Sequence, residues 1–409
     1  MNFAIQNINI KDYSYNLDDN KIAYYPAKER DLSKLLIYKD KSINQSIFKK
    51  LSDFIPYNSF MVFNNSKVIY ARLLFHKTTG AEIEIFLLEP INQDYQQALA
   101  ANNSTSWLCF VGNQKKWKNS SLEKNIFING KEILLKAEKI ENSDNGVIIR
   151  FDWETANISF AEIVENSGLL PLPPYIKRKT EENDKKNYQT IYALHKGSVA
   201  APTAGLHFTD YVFESLKIKN IASDYITLHV GAGTFKPVST AELSQHVMHE
   251  EIISFEISSI KNLLNNIDKN IIAVGTTTTR ALESLYWFGT KLLIDKNSEF
   301  KIEQWEVYQG SQQATVNCQQ DSRKKVLLEI ITYMDKNNLK TITGRTKLII
   351  IPGYKFRLID GLITNFHQPK SSLLLLIAAF LGDDWKKVYD YALNNDFRFL
   401  SYGDSCLFL

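Results

Sequence analysis

A chain of 409 residues, 44% of them hydrophobic, is too long for one simple core and has apolar sequence enough for two domains without covalent staples. Its formal charge of +3, from 48 Lys and Arg against 45 Asp and Glu, neither requires nor excludes nucleic acid, because a binding face depends on how charge is distributed. Cys109, Cys318 and Cys406 are too few and too scattered for a disulfide framework or a thiolate metal cluster, and the apolar run 373–381 is far short of the ~20 residues that cross a bilayer.

The chain begins without a basic segment followed by a long apolar one, so a cytoplasmic protein is expected. After Pro26, Arg30 and Asp31 read as a surface turn. A short helix is expected over 47–56, ended by Pro56, and FMVFNN at 60–65 reads as a strand closed by an Asn pair. From 71 to 153 short apolar runs alternate with Gly and Asn turns, the pattern of a small antiparallel β-barrel domain inserted into a larger α/β domain of 1–70 and 154–409 with a mixed sheet. A helix over 158–167, a proline-stiffened stretch ending in Lys177 and Arg178, and a solvated charged linker to 187 follow.

The stretch 187–209, NYQTIYALHKGSVAAPTAGLHFT, and the related ITLHVGAGTFKPV at 226–238 each deliver a histidine, His207 or His229, beside glycines and a threonine. Thr203 suits a helix cap, and Gly205, Gly231 and Gly233 suit a rigid loop where backbone approaches closely. A helix follows, closed by Asn220. His246, His249 and Glu250 in HVMHEE mimic a metal site but lack the HExxH spacing, and a polar helix start is the preferred reading; no metal is predicted. A helix over 257–269 leads to NIIAVGTTTTRALESLYWFG at 270–289, a strand, loop and helix with Thr276 to Thr279 as caps; its loop is neither GxGxxG nor a phosphate loop. Arg280 and Glu283, three apart, suit an ion pair or ligand contacts. Helical sequence over 324–338, two strands around a Pro-Gly turn, His367 against Pro369, a buried helix capped by Ser371 or Ser372 and an apolar C-terminal strand complete the chain.

Nine segments resemble, in order, the family of S-adenosylmethionine:tRNA ribosyltransferase-isomerases of the queuosine pathway: VFNNSKVIYARL, GLLPLPPYIKR, YQTIYALHKGSVAAPTAGLHFT, TLHVGAGTFKPV, HVMHEE, AVGTTTTRALES, IIPGYKF, LITNFHQPKSSLLLL and RFLSYGDS. The sequence departs from the family's usual residues at Asp18, Lys34, Lys347, Gln368 and Cys406; Lys347 reverses a charge. The resemblance implies transfer and isomerisation of the ribosyl part of S-adenosylmethionine onto 7-aminomethyl-7-deazaguanine at the tRNA wobble position, giving epoxyqueuosine-tRNA, adenine and methionine.

With that reaction in view, His207, His229 and His367 are the candidates for proton transfer. Thr203, Gly205, Gly231, Gly233, Thr276, Thr277, Glu283, Asp360 and Asp404 are candidates to hold the S-adenosylmethionine co-substrate. Arg72, Lys77, Lys177, Arg178 and Arg398, with the cluster Lys115, Lys116 and Lys118 around Trp117, are candidates for tRNA contact. The expected partners are tRNA and no membrane, with the protein a monomer or weak homo-oligomer. An RNA methyltransferase is the runner-up, disfavoured by the missing Gly-rich loop after the first strand, and a noncatalytic tRNA-binding scaffold is a second alternative.

Overall fold

The computed structural model describes residues 8–77, 79–118, 121–143, 146–154, 157–231, 243–308 and 321–409. The chain divides into two compact units: Met1–Asn65 with Thr190–Ala193 and Pro202–Leu409, and Ser66–Gln189 with Leu194–Ala201.

The first unit is built on a ten-stranded mixed sheet, in the order Lys301–Ile302, Thr341–Thr346, Glu251–Glu256, Ala222–His229, Ser59–Asn64, Asn270–Val274, Gly361–Asn365, Ser405–Phe408, Lys34–Lys39 and Ser42–Ile47. The four strands from Ala222–His229 to Gly361–Asn365 run parallel, and Phe60 to Asn64 and Ile271 to Val274 are buried throughout, as strands covered on both faces require. Ser405–Phe408 returns antiparallel to Gly361–Asn365 and parallel to Lys34–Lys39, so the C-terminal segment is a central strand. On one face Phe48, Leu51, Phe208, Val212 and Leu216 pack against Met61, Phe63 and Ile272. The helix Asp210–Ile218 starts at Thr209, whose hydroxyl accepts from Val212 N–H, and gives way to Asn220 in left-handed geometry, φ 56°.

The second unit holds a seven-stranded antiparallel sheet, in the order Gly168–Leu169, Arg72–His76, Glu82–Pro90, Ser104–Gly112, Gly146–Trp153, Lys131–Ser143 and Leu122–Ile128. Period-2 alternation turns Ile83, Ile85, Leu87, Ile133, Leu135 and Ala137 inward. The sheet curls until Leu122–Ile128 comes near Arg72–His76, but no ladder joins them among the described residues. The antiparallel sheet expected of a barrel is present as a half-barrel, with Gly168 and Leu169 pairing with Leu73 and Arg72 on that edge. The helix Phe160–Ser167, opened by a reciprocal Ser159–Glu162 capping box, sets Phe160 against Trp107, Phe151 and Trp153.

Candidate active site

Parallel strands bring their C-terminal ends to one edge of a sheet, which is where open α/β sheets bind ligands. Here that edge of the first unit collects the ends of Ser59–Asn64, Ala222–His229, Asn270–Val274 and Gly361–Asn365. Because Asn365 pairs with Ser405, and Ser405 with Leu35, the segments holding Asp404 and Ser33 reach the same edge. The single-turn helix Thr203–His207 lies beside it: a Cβ built on Gly275 would be 3.8 Å from the Cβ of Ala204.

His207 is 4% exposed and held at both ring nitrogens. Ser33 Oγ is 2.8 Å from Nδ1 and Asn365 Nδ2 is 3.1 Å from Nε2, while Phe48 packs against the ring at 5.1 Å between centroids. Burial, with the charges of Arg398 and Arg30 acting in the same direction and a hydrogen bond to the Arg30 backbone opposing, pushes its pKa down to about 4. The ring is therefore neutral at physiological pH. His367, 9% exposed, shares a 2.8 Å hydrogen bond between Nε2 and Thr364 Oγ1 and donates its backbone N–H to Tyr389 Oη; burial alone pushes it down to about 3. His229 ends its strand opposite Ile252 and is half-buried, with Gly231 two residues on in open space. Gly233 lies outside the described residues.

The glycines and threonines take particular tasks. Gly205 carries no cap or unusual backbone angle; a Cβ there would sit 1.9 Å from Tyr192 Oη, so the close approach it permits is to the buried hydroxyl of a half-buried tyrosine. Thr203 opens its turn without capping it, contrary to expectation, and Thr209 caps the helix that follows. Gly275, at φ +95°, occupies backbone space that disfavours other residues. It is the N-cap of Thr276–Ile294, no side chain caps that helix, and Thr276 to Thr279 form its first turn instead. Thr278 and Thr279 hydroxyls donate back to Val274 and Gly275 carbonyls. The N-terminal N–H groups of this 19-residue helix face the site edge, a setting suited to anionic or polar ligand groups.

The acidic candidates separate. Asp404 is at the edge, 2% exposed, accepting from the backbone N–H groups of Lys34 and Arg398 and lying 3.4 Å from the Arg398 guanidinium. Asp360 precedes the strand Gly361–Asn365, hence is at the opposite edge, where it accepts from Ile271 N–H and pairs with Arg323. Glu283 is fully buried and holds a loop: it accepts from Tyr354 Oη at 2.7 Å and from the backbone N–H groups of Arg357, Leu358 and Ile359. Burial raises its pKa, opposed by those donors. It does not pair with Arg280, which meets Glu251 at 2.6 Å and the Leu348 carbonyl.

HVMHEE leads into the strand Glu251–Glu256 and not into a helix, and Glu250 meets Arg345 at 2.6 Å and Lys347 at 3.8 Å, so the reversed charge at Lys347 finds an acidic partner. No group of three His, Cys, Asp or Glu among the described residues is placed to hold a metal ion.

Arg398 alone of the tRNA candidates belongs to the first unit, beside His207; its guanidinium also donates to the Tyr25 carbonyl at 3.4 Å. In the second unit Arg72 is bidentate to Glu84, 2.8 Å for each bond, and Arg178 is bidentate to Asp184, 2.7 Å for each. The charged linker is thus less solvated than expected, since Asp184 is only 2% exposed. Lys77 donates to the Lys116 carbonyl, and Lys115, Lys116, Lys118 and Lys177 are exposed. Trp117 is 2% exposed, with Lys139 Nζ 4.5 Å from its ring centroid, so it is a packing residue and not a stacking platform.

Sequence reasoning missed Asp31, Ser33 and Asn365. Asp31 is not a surface-turn residue: it is 4% exposed and accepts from Thr209 Oγ1 at 2.8 Å. Arg30 beside it is more than half-buried, which lowers its pKa. The one available signal was Asn365 within LITNFHQP, a polar residue ending an apolar strand two positions before a histidine.

The family described as Queuosine biosynthesis protein matches residues 10–408. Relatives named S-adenosylmethionine:tRNA ribosyltransferase-isomerase include those of Halothermothrix orenii, 36% identical over 98% of this chain and 99% of the relative, and of a Sulfurihydrogenibium species, 36% identical over 97% and 99%. A solved structure of an S-adenosylmethionine tRNA ribosyltransferase from Thermotoga maritima is 25% identical, covers 97% of this chain and 99% of its own, and superposes with a TM-score of 0.45. No helix among the described residues is long and apolar enough to cross a membrane. By the match along almost its whole length, the chain belongs to the family of queuosine biosynthesis proteins, whose curated members named above are transferases.

Proposed function

We propose that this chain transfers and isomerises the ribosyl moiety of S-adenosylmethionine onto 7-aminomethyl-7-deazaguanine at the wobble position of tRNA, releasing adenine and methionine, and that it does so in the cytoplasm. The observation that carries the reading is the convergence of separate family-like segments at one sheet edge: the His207 turn, the His229 strand end, the Gly275 loop, the Asn365–His367 stretch and the 398–404 loop.

The chemistry suits such an edge. The sulfonium acidifies the adjoining C5′ protons, so a modest base begins the reaction; loss of adenine, attack by the nucleobase amine and expulsion of methionine as the epoxide closes complete it. Half-buried His229 is the better-placed proton acceptor, and doubly held His207 is a positioning group. Asp31 and Asp404 are the carboxylates at this edge available to oppose a sulfonium, and the exposed lysines of the second unit supply phosphate contacts.

The test is mass spectrometry of precursor-containing tRNA after incubation with S-adenosylmethionine and folded protein, alongside detection of free adenine. Epoxyqueuosine with adenine and methionine is expected. S-adenosylhomocysteine in their place would mark a methyltransferase, and RNA binding with no product would mark a scaffold.

A further inference from the structure

Asn365 is 3% exposed, yet its Oδ1 is buried without a donor among the described residues, while Nδ2 faces Nε2 of His207. The amide is turned so that Nδ2 meets the ring, which leaves Oδ1 as the acceptor without a donor. An orphaned buried acceptor is costly, and such groups in native proteins call for an explanation.

We propose that Oδ1 of Asn365 accepts a hydrogen bond from a neutral N–H donor on the edge of a substrate nucleobase, making Asn365 a specificity residue. The proposal rests on the reading of this edge as a nucleotide-handling site. Arg30 and Arg398, whose charges act on His207, disfavour a cationic donor there. One Nδ2 hydrogen meets His207, and Oδ1 is left to accept a donor such as an exocyclic amino group presents. That group has two sources: the adenine of the co-substrate or the 2-amino group of a guanine-like acceptor base.

Equilibrium binding to the full chain separates them. Adenosine is compared with purine riboside and guanosine with inosine; ribose hydroxyls are common to all four, so each pair isolates one amino group. The wild type is expected to prefer the amino member of one pair by about 10-fold or more, as loss of one well-made hydrogen bond implies. Asn365→Leu abolishes that preference, with Asn365→Ala serving if the leucine variant does not fold, whereas Asn365→Asp, which keeps an acceptor of the same shape, retains it. Preference within the adenosine pair assigns the co-substrate, and within the guanosine pair the acceptor base. Absence of preference in both pairs, no binding of any of the four at millimolar concentration, or preference retained by a folded leucine or alanine variant overturns the proposal. An enzyme that discriminates but releases no adenine sinks the proposed reaction and not this one.

Discussion

Ser33 Oγ lies 2.8 Å from Nδ1 of His207, 174 residues away in sequence, and with Asn365 at Nε2 it holds the plane of a buried imidazole. A ring so held, with its pKa pushed down to about 4, is poorly suited to collecting a proton at neutral pH. His229 is half-buried at the end of its strand, opposite Ile252.

The two histidines are therefore expected to fail differently. His229→Ala should lower kcat by ~10²–10⁴-fold with little change in KM, the range of a lost acid–base group. Ser33→Ala should give a milder loss, and His207→Asn should retain more activity than His207→Ala. Steady-state kinetics of the four variants checks this, and a His229→Ala enzyme with normal kcat removes His229 from chemistry.

Stability should fall in mild acid. His207 and His367 are held at about 4 and about 3 in the fold against 6.5 unperturbed, so the unfolded chain takes up protons first as pH falls. Their contribution is fully present above pH 6.5 and is lost progressively as pH falls toward 4 and 3. At ~1.4 kcal/mol per unit the loss is at most ~3.5 kcal/mol for His207 and ~5 kcal/mol for His367. Urea midpoints between pH 7.5 and 4.5 should show the slope, and His367→Asn should flatten it; an unchanged slope would count against this assignment.

Gly205→Ala places a methyl group 1.9 Å from Tyr192 Oη and 2.9 Å from Thr190 Cγ2. A loss of ~1–3 kcal/mol is expected from the overpacking. Tyr192→Phe should recover part of it, because the hydroxyl makes the closest contact and has no hydrogen-bond partner to lose. Additive melting-temperature losses in the double variant would show that the two groups do not collide.

Arg178→Ala should act through stability. It strips a bidentate partner from Asp184, leaving a carboxylate that is 2% exposed with less compensation, at a cost of roughly 3 kcal/mol. Denaturant titration measures this. Asp184→Asn with Arg178→Gln, which removes both charges, is expected to be milder than either single change.

The exposed lysines should act through affinity. Neutralising Lys115, Lys116 and Lys118 to Gln is expected to weaken tRNA binding and reduce the salt dependence of log K by ~0.7–0.9 for each phosphate the lysines had neutralised. Replacing Trp117 should instead lower stability, since its ring is buried. An unchanged salt slope in the triple variant would remove these lysines from the RNA interface.

Much of the scaffold was legible because its signals are local. Apolar runs such as FMVFN, the left-handed Asn220 that ends a helix, Ser371 as a cap and the glycine between the strand Asn270–Val274 and its helix all declare themselves within a few residues. What needed the tertiary structure is partnership across the chain. Glu283 and Arg280 sit three apart on one helix, yet each is satisfied by other elements, because a buried charge takes whichever partner the packing brings within reach. Asp360 and Asn365 bracket one short strand, and its direction alone sends the first to the far edge and the second to His207. The sequence by itself determined the family, most of the elements and the histidines; only the sheet order decided that Ser33 and Asn365 meet at His207, since hydrogen bonds spanning 174 and 158 residues leave no periodic trace.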